Sequence, residues 1–208
     1  MPVSRRTRAE SIGSDAPADQ AGEGGANPTS ALQLRLEEIS IEGAQHINKV
    51  LHSVLPETHT GNLKGCKRNV AYVATYEGIA YAVAIWTQPI AANRLTDGFN
   101  ALELRRFAIS SYAPKNTASR LLAVMVRLLR KKWPEVYRFI SYQSVDHHEG
   151  TIYKAAGWEA TAVSNAMDWS REGDESRAPM QTTSDKVRWE KQFPLAPAAP
   201  PSVRRLRG

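Results

Sequence analysis

Between residues 101 and 142, a strand, a polar loop, a long helix and a second strand follow one another, and this order constrains the fold more than any other feature. ALELRRFAI (101–109) and VYRFISY (136–142) are short apolar runs typical of strands. TASRLLAVMVRLLRKKW (117–133) repeats its apolar residues at helical spacing, and Pro134 ends the helix. Because such a connection places its two strands parallel, we predict a βαβ crossover.

The segments around this crossover predict the remaining elements. SIEGAQHINKVLHSVL has its apolar residues on one side at helical spacing, with Ser40 as the N-cap of a first helix. NVAYVATYEGIAYAVAIW contains two apolar runs joined by Glu77-Gly78, which is typical of a tight hairpin. A short helix ends at Gly157, and two β-runs follow, around 159–169 and 186–193. The predicted order is therefore α-ββ-β-α-β-α-β-β.

The composition predicts one domain with irregular ends. The 208 residues are 42% hydrophobic and 23% charged, which is enough for a single sizeable core. We expect a disordered N-terminal segment over 1–30, rich in Ala, Gly, Ser, Asp and Pro, a domain over 31–194, and a flexible basic tail over 195–208. No apolar run approaches the length of a membrane span or follows the basic start, so we expect a cytoplasmic protein.

Basic residues are concentrated on the crossover helix and just after it. The formal net charge of the chain is +6. The cations concerned are Arg120, Arg127, Arg130, Lys131, Lys132 and Arg138. They form either a solvated face or a polyanion-binding surface, and the sequence leaves both interpretations open.

The loop SSYAPKNTAS stands where the crossover helix begins. Free N–H groups and the helix dipole suit this position to an anion such as a pyrophosphate. Lys115 and four hydroxyl groups would assist, those of Ser110, Ser111, Thr117 and Ser119. The alternative is a loop in which Thr117 simply caps the helix.

A cluster of titratable residues, Asp146-His147-His148-Glu149, lies between the second crossover strand and the short helix. Ligands of α/β folds gather at the carboxyl ends of strands, so we expect function here. Adjacent histidines seldom face one metal, and Cys66, the only cysteine, excludes a multi-cysteine zinc site. A general base, Asp146 or His148, is therefore favoured, with helix capping by the acidic residues as the alternative. If a metal is present, an open iron or zinc site would use His148, Asp146 and Tyr153.

Arg105 and Arg106 are neighbours in an otherwise apolar strand, so alternation predicts that they point to opposite faces. An inward guanidinium needs a carboxylate or phosphate partner. By the same alternation Glu103 lies on the face opposite Arg106 and is placed to pair with Arg105. A structural ion pair and a functional Arg106 would give the same sequence, and both stay open.

The order of elements, the loop opening the long helix and the closing TIYKAAGW resemble the GNAT acyl-CoA transferase fold. The resemblance implies an α+β (α/β) single domain with a central mixed β-sheet flanked by helices. It implies acetyl-CoA or a related acyl donor, with the pyrophosphate on the loop before the helix. The residues that it places at the donor are Phe107, Ile109, Ser111, Lys115, Asn116, Thr117 and Ser119. The two glycines usual in that loop are replaced by Thr117 and Ser119.

The same resemblance implies a catalytic role for Tyr153. It stands four residues before Gly157 and matches the tyrosine with which many GNAT enzymes protonate the leaving CoA thiolate. A positioned acid makes departure of a thiolate easier. The alternative is a ring that packs in the core with its hydroxyl at the rim.

Four short segments more narrowly resemble the Mom-like branch of phage and prophage proteins. They are LELRRF (102–107), KNTASR (115–120), ISY (140–142) and GTIYKAAGW (150–158), within a resemblance that covers residues 40–193. That branch is known for adding a methylcarbamoyl group to adenine in DNA, which protects phage DNA from restriction. The resemblance therefore implies a DNA partner, a catalytic Arg106 and a location in the bacterial host cytoplasm.

Two other functions fit the same fold. One is an acetyl-CoA-dependent N-acetyltransferase acting on a small amine or a protein lysine. The other is a non-catalytic DNA-associated protein. The oligomeric state, including a homodimer, is open.

Overall fold

The computed structural model describes residues 27–52, 63, 65–91, 94, 100–146, 149–165 and 184–194. These residues form one seven-stranded sheet in the order β1-β2-β3-β4-β5-β7-β6. The strands are β1 Arg35–Ile39, β2 Asn69–Tyr76, β3 Ile79–Thr87, β4 Ala101–Ile109, β5 Arg138–Ser144, β6 Glu159–Ser164 and β7 Lys186–Gln192. The α-helices described over their full length are α1 Ile41–Leu51, α2 Thr117–Lys132 and α3 Thr151–Ala155.

The predicted crossover is confirmed. Strands β4 and β5 are parallel, whereas every other pair of neighbouring strands is antiparallel, so the sheet is mixed. Helix α2 connects the two parallel strands, as the alternation of strand and helix patterns requires. The fold class, a mixed sheet flanked by helices in a single α+β domain, is confirmed as well.

Local signals in the sequence set several boundaries. The Ser40 side chain accepts a hydrogen bond from the amide of Gly43 at 3.0 Å, so the predicted N-cap of α1 is confirmed. Glu77 and Gly78 both have positive φ, 49° and 82°, which gives the β2–β3 hairpin its tight two-residue turn. Gly157, with φ of 70°, follows the last turn of α3.

Strand β1 was not predicted from the sequence. Its five residues, Arg-Leu-Glu-Glu-Ile, lie at the edge of the sheet, and most of them are exposed. An edge strand with polar residues on both faces lacks the alternation that marks a half-buried strand. A short 3₁₀ helix, Ala31–Gln33, precedes β1 and is held by a capping box between Ser30 and Gln33.

Each face of the sheet carries its own apolar cluster. Helix α2 and α3 cover one face, here called the α2 face, where Trp86 is fully buried and makes an edge contact with Phe139 at 5.9 Å between ring centroids. Helix α1 covers part of the other face, the α1 face, where Ala44 packs against Val83 and Ile85. Of the helices in the described ranges, none is both long and apolar enough to cross a membrane.

Candidate active site at the parting of strands β4 and β5

The parallel strands β4 and β5 pair over only part of their length. Pairing runs from Ala101 opposite Arg138 to Leu104 opposite Ser141. Beyond that point β4 continues to Ile109 beside β3, and β5 continues to Ser144 beside β7. The two strands are no longer paired with each other there, and the sheet opens into a wedge between them.

A β-bulge accounts for the place at which the strands part. On β3, Ile85 lies opposite Arg106 while the next residue, Trp86, lies opposite Leu104, so Arg105 is the extra residue on β4. A bulge bends its strand and increases the local twist. Because Arg105 directly follows the last residue paired with β5, the bend turns β4 away from β5 at the apex of the wedge.

The Tyr153 hydroxyl lies at this apex. It is 2.8 Å from the hydroxyl oxygen of Ser141, the last β5 residue that pairs with β4. The Tyr153 ring stacks on Trp189, with 5.3 Å between centroids and 13° between planes, and makes an edge contact with Trp158 at 5.7 Å. Two tryptophans therefore fix the ring while Ser141 fixes the direction of its hydroxyl.

Close packing at the start of α3 locks this arrangement. Trp189 donates a hydrogen bond from Nε1 to Oε1 of Gln143 at 2.7 Å. Gly150 lies against both side chains, and a Cβ at this residue would collide with them. Its φ of 72° also favours glycine. The segment GTIYKAAGW thus begins with a glycine because α3 approaches the sheet too closely for any side chain.

Burial keeps the Tyr153 phenol protonated. Removal from water raises the pKa of Tyr153, and the hydrogen bond with Ser141 lowers it only in part. The residue is 7% exposed. A neutral phenol with a fixed direction can donate a proton to a group that enters the wedge, which is the chemistry of a general acid.

Charged residues of β4 lie on the α1 face, opposite to Tyr153. Arg106 faces Ile85 of β3 and Glu103 faces Thr87, and since Ile85 and Thr87 are two residues apart, Arg106 and Glu103 share one face. The prediction that they lie on opposite faces is wrong, because the bulge at Arg105 shifts the alternation by one residue. The predicted pairing of Glu103 with Arg105 is confirmed, with 3.4 Å between Oε1 and Nε.

The environment of these β4 side chains shifts their pKa values. Burial raises the pKa of Glu103, and the charges of Arg105, Arg94 and Arg106 oppose that rise only partly. Burial and repulsion from Arg105 lower the pKa of Arg106 to about 10, with Glu103 acting in the opposite direction. Arg106 Nη1 also donates to the Arg105 carbonyl at 2.8 Å. Arg106 is therefore a half-buried cation with a fixed direction beside the wedge.

The loop before α2 leaves the helix start without a side-chain cap. Asn116 occupies the N-cap with φ of 65° and makes no capping hydrogen bond among the described residues. The Thr117 hydroxyl donates to the Pro114 carbonyl at 2.7 Å and the Ser119 hydroxyl to the Asn116 carbonyl at 3.2 Å. The alternative in which Thr117 caps the helix is therefore wrong.

The other residues predicted at the donor fall into two groups. Phe107 and Ile109 are half-buried and pack against the apolar cluster of the α2 face. Ser111 and Lys115 are exposed on the loop that leads from β4 into α2. The free flank of β4 and the start of α2 are therefore neighbouring parts of one surface.

The titratable cluster after β5 is only partly described. Asp146 is exposed in the turn that follows β5, and the hydroxyl of Tyr153 bonds to Ser141 rather than to Asp146. His148 lies outside the described residues. Within the ranges that the structure describes, no group of three or more His, Cys, Asp or Glu side chains could hold a metal ion.

A sequence comparison identifies the family. The profile of the Mom protein family matches residues 78–205, more than half of the chain, and includes β4, β5, α2, α3 and the bulge. The chain belongs to the Mom protein family. The comparison with curated protein sequences finds no match.

Solved structures similar to this Mom-family chain are acetyltransferases. IAA acetyltransferase from Bacillus cereus has a TM-score of 0.54 at 12% identity and covers 77% of this chain and 99% of its own. Ribosomal-protein-S18-alanine N-acetyltransferase from Escherichia coli has a TM-score of 0.56 at 12% identity, with coverages of 78% and 96%. A Bacillus subtilis acetyltransferase in complex with CoA has a TM-score of 0.52 at 13% identity, with coverages of 77% and 99%. At such identities the similarity shows the fold alone, the GNAT fold.

Two residues that build this candidate site, Ser141 and Trp189, were not predicted as site residues from the sequence. Ser141 looks like an ordinary small residue in an apolar strand, and Trp189 like a core residue of the last strand. Both become important because β7 inserts between β5 and β6 and brings Trp189 opposite Ser141. No local pattern in the sequence predicts that strand order.

Proposed function

We propose that this protein is a transferase that moves an acyl group from a coenzyme A thioester to a base of nucleic acid, with adenine in phage or prophage DNA as the acceptor. The observation that carries the proposal is the Tyr153 hydroxyl held by Ser141 at the apex of the wedge. Membership of the Mom protein family supports adenine in DNA as the acceptor and an anti-restriction role.

The wedge and the α2 start suit the two ends of a coenzyme A thioester. The extended, amide-bearing arm of the donor would lie along β4 after Leu104 and take the place of the missing strand. The pyrophosphate would lie at the start of α2, near Lys115 and Ser111, where amide groups and the helix dipole favour negative charge. The CoA complex of the Bacillus subtilis acetyltransferase, which has the same fold, supports this type of donor.

The reaction then follows from the position of Tyr153. An acceptor nitrogen attacks the thioester carbonyl carbon, the carbon–sulfur bond breaks, and the departing thiolate takes the proton of the Tyr153 hydroxyl. The proton of the attacking nitrogen goes to a base, for which Asp146 and His148 are the candidates. Arg106, on the other side of β4, would hold an anionic part of the acceptor.

Mass spectrometry of nucleosides tests this proposal. DNA from cells that express the wild-type protein should contain a modified deoxyadenosine that is absent from empty-vector cells, and its mass identifies the transferred group. Tyr153→Phe keeps the stacked ring and removes only the acid, so the rate of modification should fall roughly 10²–10⁴-fold. Tyr76→Phe, which changes a half-buried tyrosine at the end of β2, is the matched control and should keep the wild-type rate.

Acetyl transfer to an amine is the second candidate function. The similarity to the ribosomal-protein-S18-alanine N-acetyltransferase favours it, because the named acceptor of that enzyme is a protein amine. If DNA stays unmodified while peptide or small amines are acetylated in a Tyr153-dependent way, the acceptor in our proposal is wrong and this second function holds.

A further inference from the structure

Tyr153 belongs to a helix that is too short to hold the residue in place by itself. Helix α3 has five residues, and among the described residues its N-cap, Gly150, makes no side-chain capping bond. Isolated helices of this length are not stable in water, so α3 depends on its contacts with the sheet. The orientation of the Tyr153 ring is therefore set from outside the helix.

The two tryptophans that contact the Tyr153 ring are attached to different parts of the fold. Trp158 follows α3 directly, and its amide donates to the Tyr153 carbonyl at 2.9 Å, so its position depends on the position of the helix. Trp189 belongs to β7 and lies directly opposite Ser141 of β5. Of these two rings, the one that ties Tyr153 to the sheet is that of Trp189.

The indole of Trp189 is itself held by a hydrogen bond. Its Nε1 donates to Oε1 of Gln143 at 2.7 Å, and both residues are buried. Breaking this bond would leave a buried N–H without its acceptor, so rotation of the indole is unfavourable. The indole plane lies within 13° of the Tyr153 ring plane. Gln143 therefore fixes the surface on which the Tyr153 ring is stacked.

The backbone at the start of α3 lies directly against this hydrogen bond. A Cβ on Gly150 would collide with both Trp189 and Gln143, so no side chain fits between them and the helix. Ser141 and Gln143 are two residues apart on β5 and share the α2 face. The three side chains that hold Tyr153 thus come from neighbouring positions of the paired strands β5 and β7.

Trp86 gives a comparison within the same apolar cluster. Its Nε1 donates to the sulfur of Met125 at 3.4 Å, and both residues are buried. Its ring contacts among the described residues are with Phe139 and Trp158. A thioether is a weak acceptor, whereas the amide oxygen of Gln143 is a strong and directional one. The stronger acceptor belongs to the tryptophan on which Tyr153 is stacked.

We infer that Gln143 is a positioning residue of the candidate site, which acts through the indole of Trp189 to set the plane of the Tyr153 ring. Ser141 then sets the direction of the hydroxyl within that plane. This inference rests on the proposed function, in which the Tyr153 hydroxyl is the acid. Gln143 itself neither gives nor takes a proton. Its role matters because a displacement of about 1 Å at a reacting group can cost roughly 10²-fold in rate.

Steady-state kinetics with acetyl-CoA and an adenine-containing DNA duplex test the inference. Gln143→Met keeps the length of the side chain and removes the acceptor, so kcat should fall roughly 10- to 100-fold. The KM for acetyl-CoA should stay unchanged, because the acid acts only in the transition state. Gln143→Glu keeps an oxygen at the same reach and should retain a kcat well above that of Gln143→Met.

Met125→Leu is the matched control, because it removes the acceptor of another buried tryptophan in the same cluster. It should lower the melting temperature as Gln143→Met does, while kcat stays at the wild-type value. Trp189→Phe completes a double-mutant cycle, since it keeps a ring and removes the donor. In that background Gln143→Met should lower kcat little further, whereas independent effects would multiply.

Near-ultraviolet circular dichroism reports fixed packing of aromatic rings without any substrate. The difference between the spectra of the wild type and Tyr153→Phe gives the contribution of the Tyr153 ring. Gln143→Met should lose that contribution and Met125→Leu should keep it. If Gln143→Met does not fold, Gln143→Asn provides the same test, because its oxygen is one carbon short of Trp189.

Equal losses of kcat in Gln143→Met and Met125→Leu would mean that Gln143 only satisfies a buried indole, and the inference would be wrong. Multiplicative effects in the cycle, or a Tyr153 contribution to the spectrum that survives loss of the Gln143 acceptor, overturn it as well. The spectra need no catalysis, so they decide about Gln143 even if the wild type transfers nothing. Failure of the inference is thus distinguishable from failure of the proposed function.

Discussion

The two faces of the sheet at the wedge use the same strands for different purposes. On the α2 face, Tyr153, Trp158 and Trp189 form an aromatic cluster in which one hydroxyl is held by Ser141. On the α1 face, Glu103 pairs with Arg105, and Glu190 pairs with Arg138 and Arg188. The comparison indicates that the acid is positioned by apolar packing, whereas the opposite face is organised by ion pairs.

The bulge at Arg105 is what makes this division possible. In a regular strand Arg105 and Arg106 would point to opposite faces, and one guanidinium would enter the aromatic cluster. The extra residue instead moves Arg106 to the face of Glu103 and leaves Phe107 against the α2-face cluster. One inserted residue therefore both opens the wedge and separates charge from the aromatic cluster.

Gly150→Ala should have the largest effect on the aromatic cluster of the α2 face. The new Cβ collides with Trp189 and Gln143 and must also adopt a positive φ. Gly78→Ala is the matched control, because Gly78 has φ of 82° and no atom near the added carbon. We expect Gly78→Ala to cost about 1–2 kcal/mol in free energy of unfolding. Gly150→Ala should cost about 1–3 kcal/mol more.

Urea unfolding of both variants measures this difference. Equal losses for the two glycines would mean that α3 moves away from the sheet without penalty. In that case the packing does not fix Tyr153, and its direction depends on Ser141 alone.

Two carboxylates of the α1 face, Glu103 and Glu190, should change the pH dependence of the free energy of unfolding in opposite directions. The pKa of Glu190 is about 2 in the folded protein against a usual 4.5, so its stabilising contribution is present above pH 4.5 and is lost as the pH falls toward 2. Glu103 has a raised pKa, so its contribution is largest at low pH and is lost as the pH rises past 4.5.

Unfolding free energies at pH 7 and pH 3 of the wild type, Glu190→Gln and Glu103→Gln separate the two contributions. Glu190→Gln should shrink the acid-induced loss of stability by an amount on the order of 2 kcal/mol, because solvent screens part of the interaction with the two arginines. Glu103→Gln should enlarge that loss. A Glu190→Gln variant with the same acid-induced loss as the wild type would show that the Arg138 and Arg188 contacts do not stabilise the fold.

The sequence predicts the fold well because the fold follows from local patterns. Strand β4, the start of α2 and the β2–β3 turn are each defined by alternation, helical spacing or a Glu-Gly pair within a few residues. Strand β1 was not predicted because its short, exposed segment at the sheet edge lacks those patterns. These elements are determined by residues that are close together in the sequence. The periodicity of a single segment is therefore sufficient to predict each of them.

The site depends on long-range register, which no single segment encodes. Tyr153 is predicted from a resemblance, but its partners Ser141 and Trp189 are distant in sequence and meet only through the order β5-β7-β6. Arg106 is predicted on the wrong face relative to Glu103 because alternation assumes a regular strand.

The smallest expected effect comes from Ser141→Ala. This change tests whether the hydrogen bond from Ser141 sets the direction of the Tyr153 hydroxyl at the apex of the wedge. The change removes a single hydrogen bond of 2.8 Å to Tyr153, so the free energy of unfolding should fall by about 1 kcal/mol. Because that bond lowers the pKa of Tyr153, its loss should raise the pKa further and make the phenol a weaker acid. Transfer should slow by about tenfold, far less than for Tyr153→Phe.

Ser144→Ala is the matched control, because Ser144 lies on the same strand but its hydroxyl bonds to Ser184 instead. It should lose similar stability while keeping the rate of transfer. If both serine variants slow transfer equally, the hydrogen bond of Ser141 only stabilises β5. In that case the tryptophans packed against Tyr153, and not Ser141, set the direction of its hydroxyl.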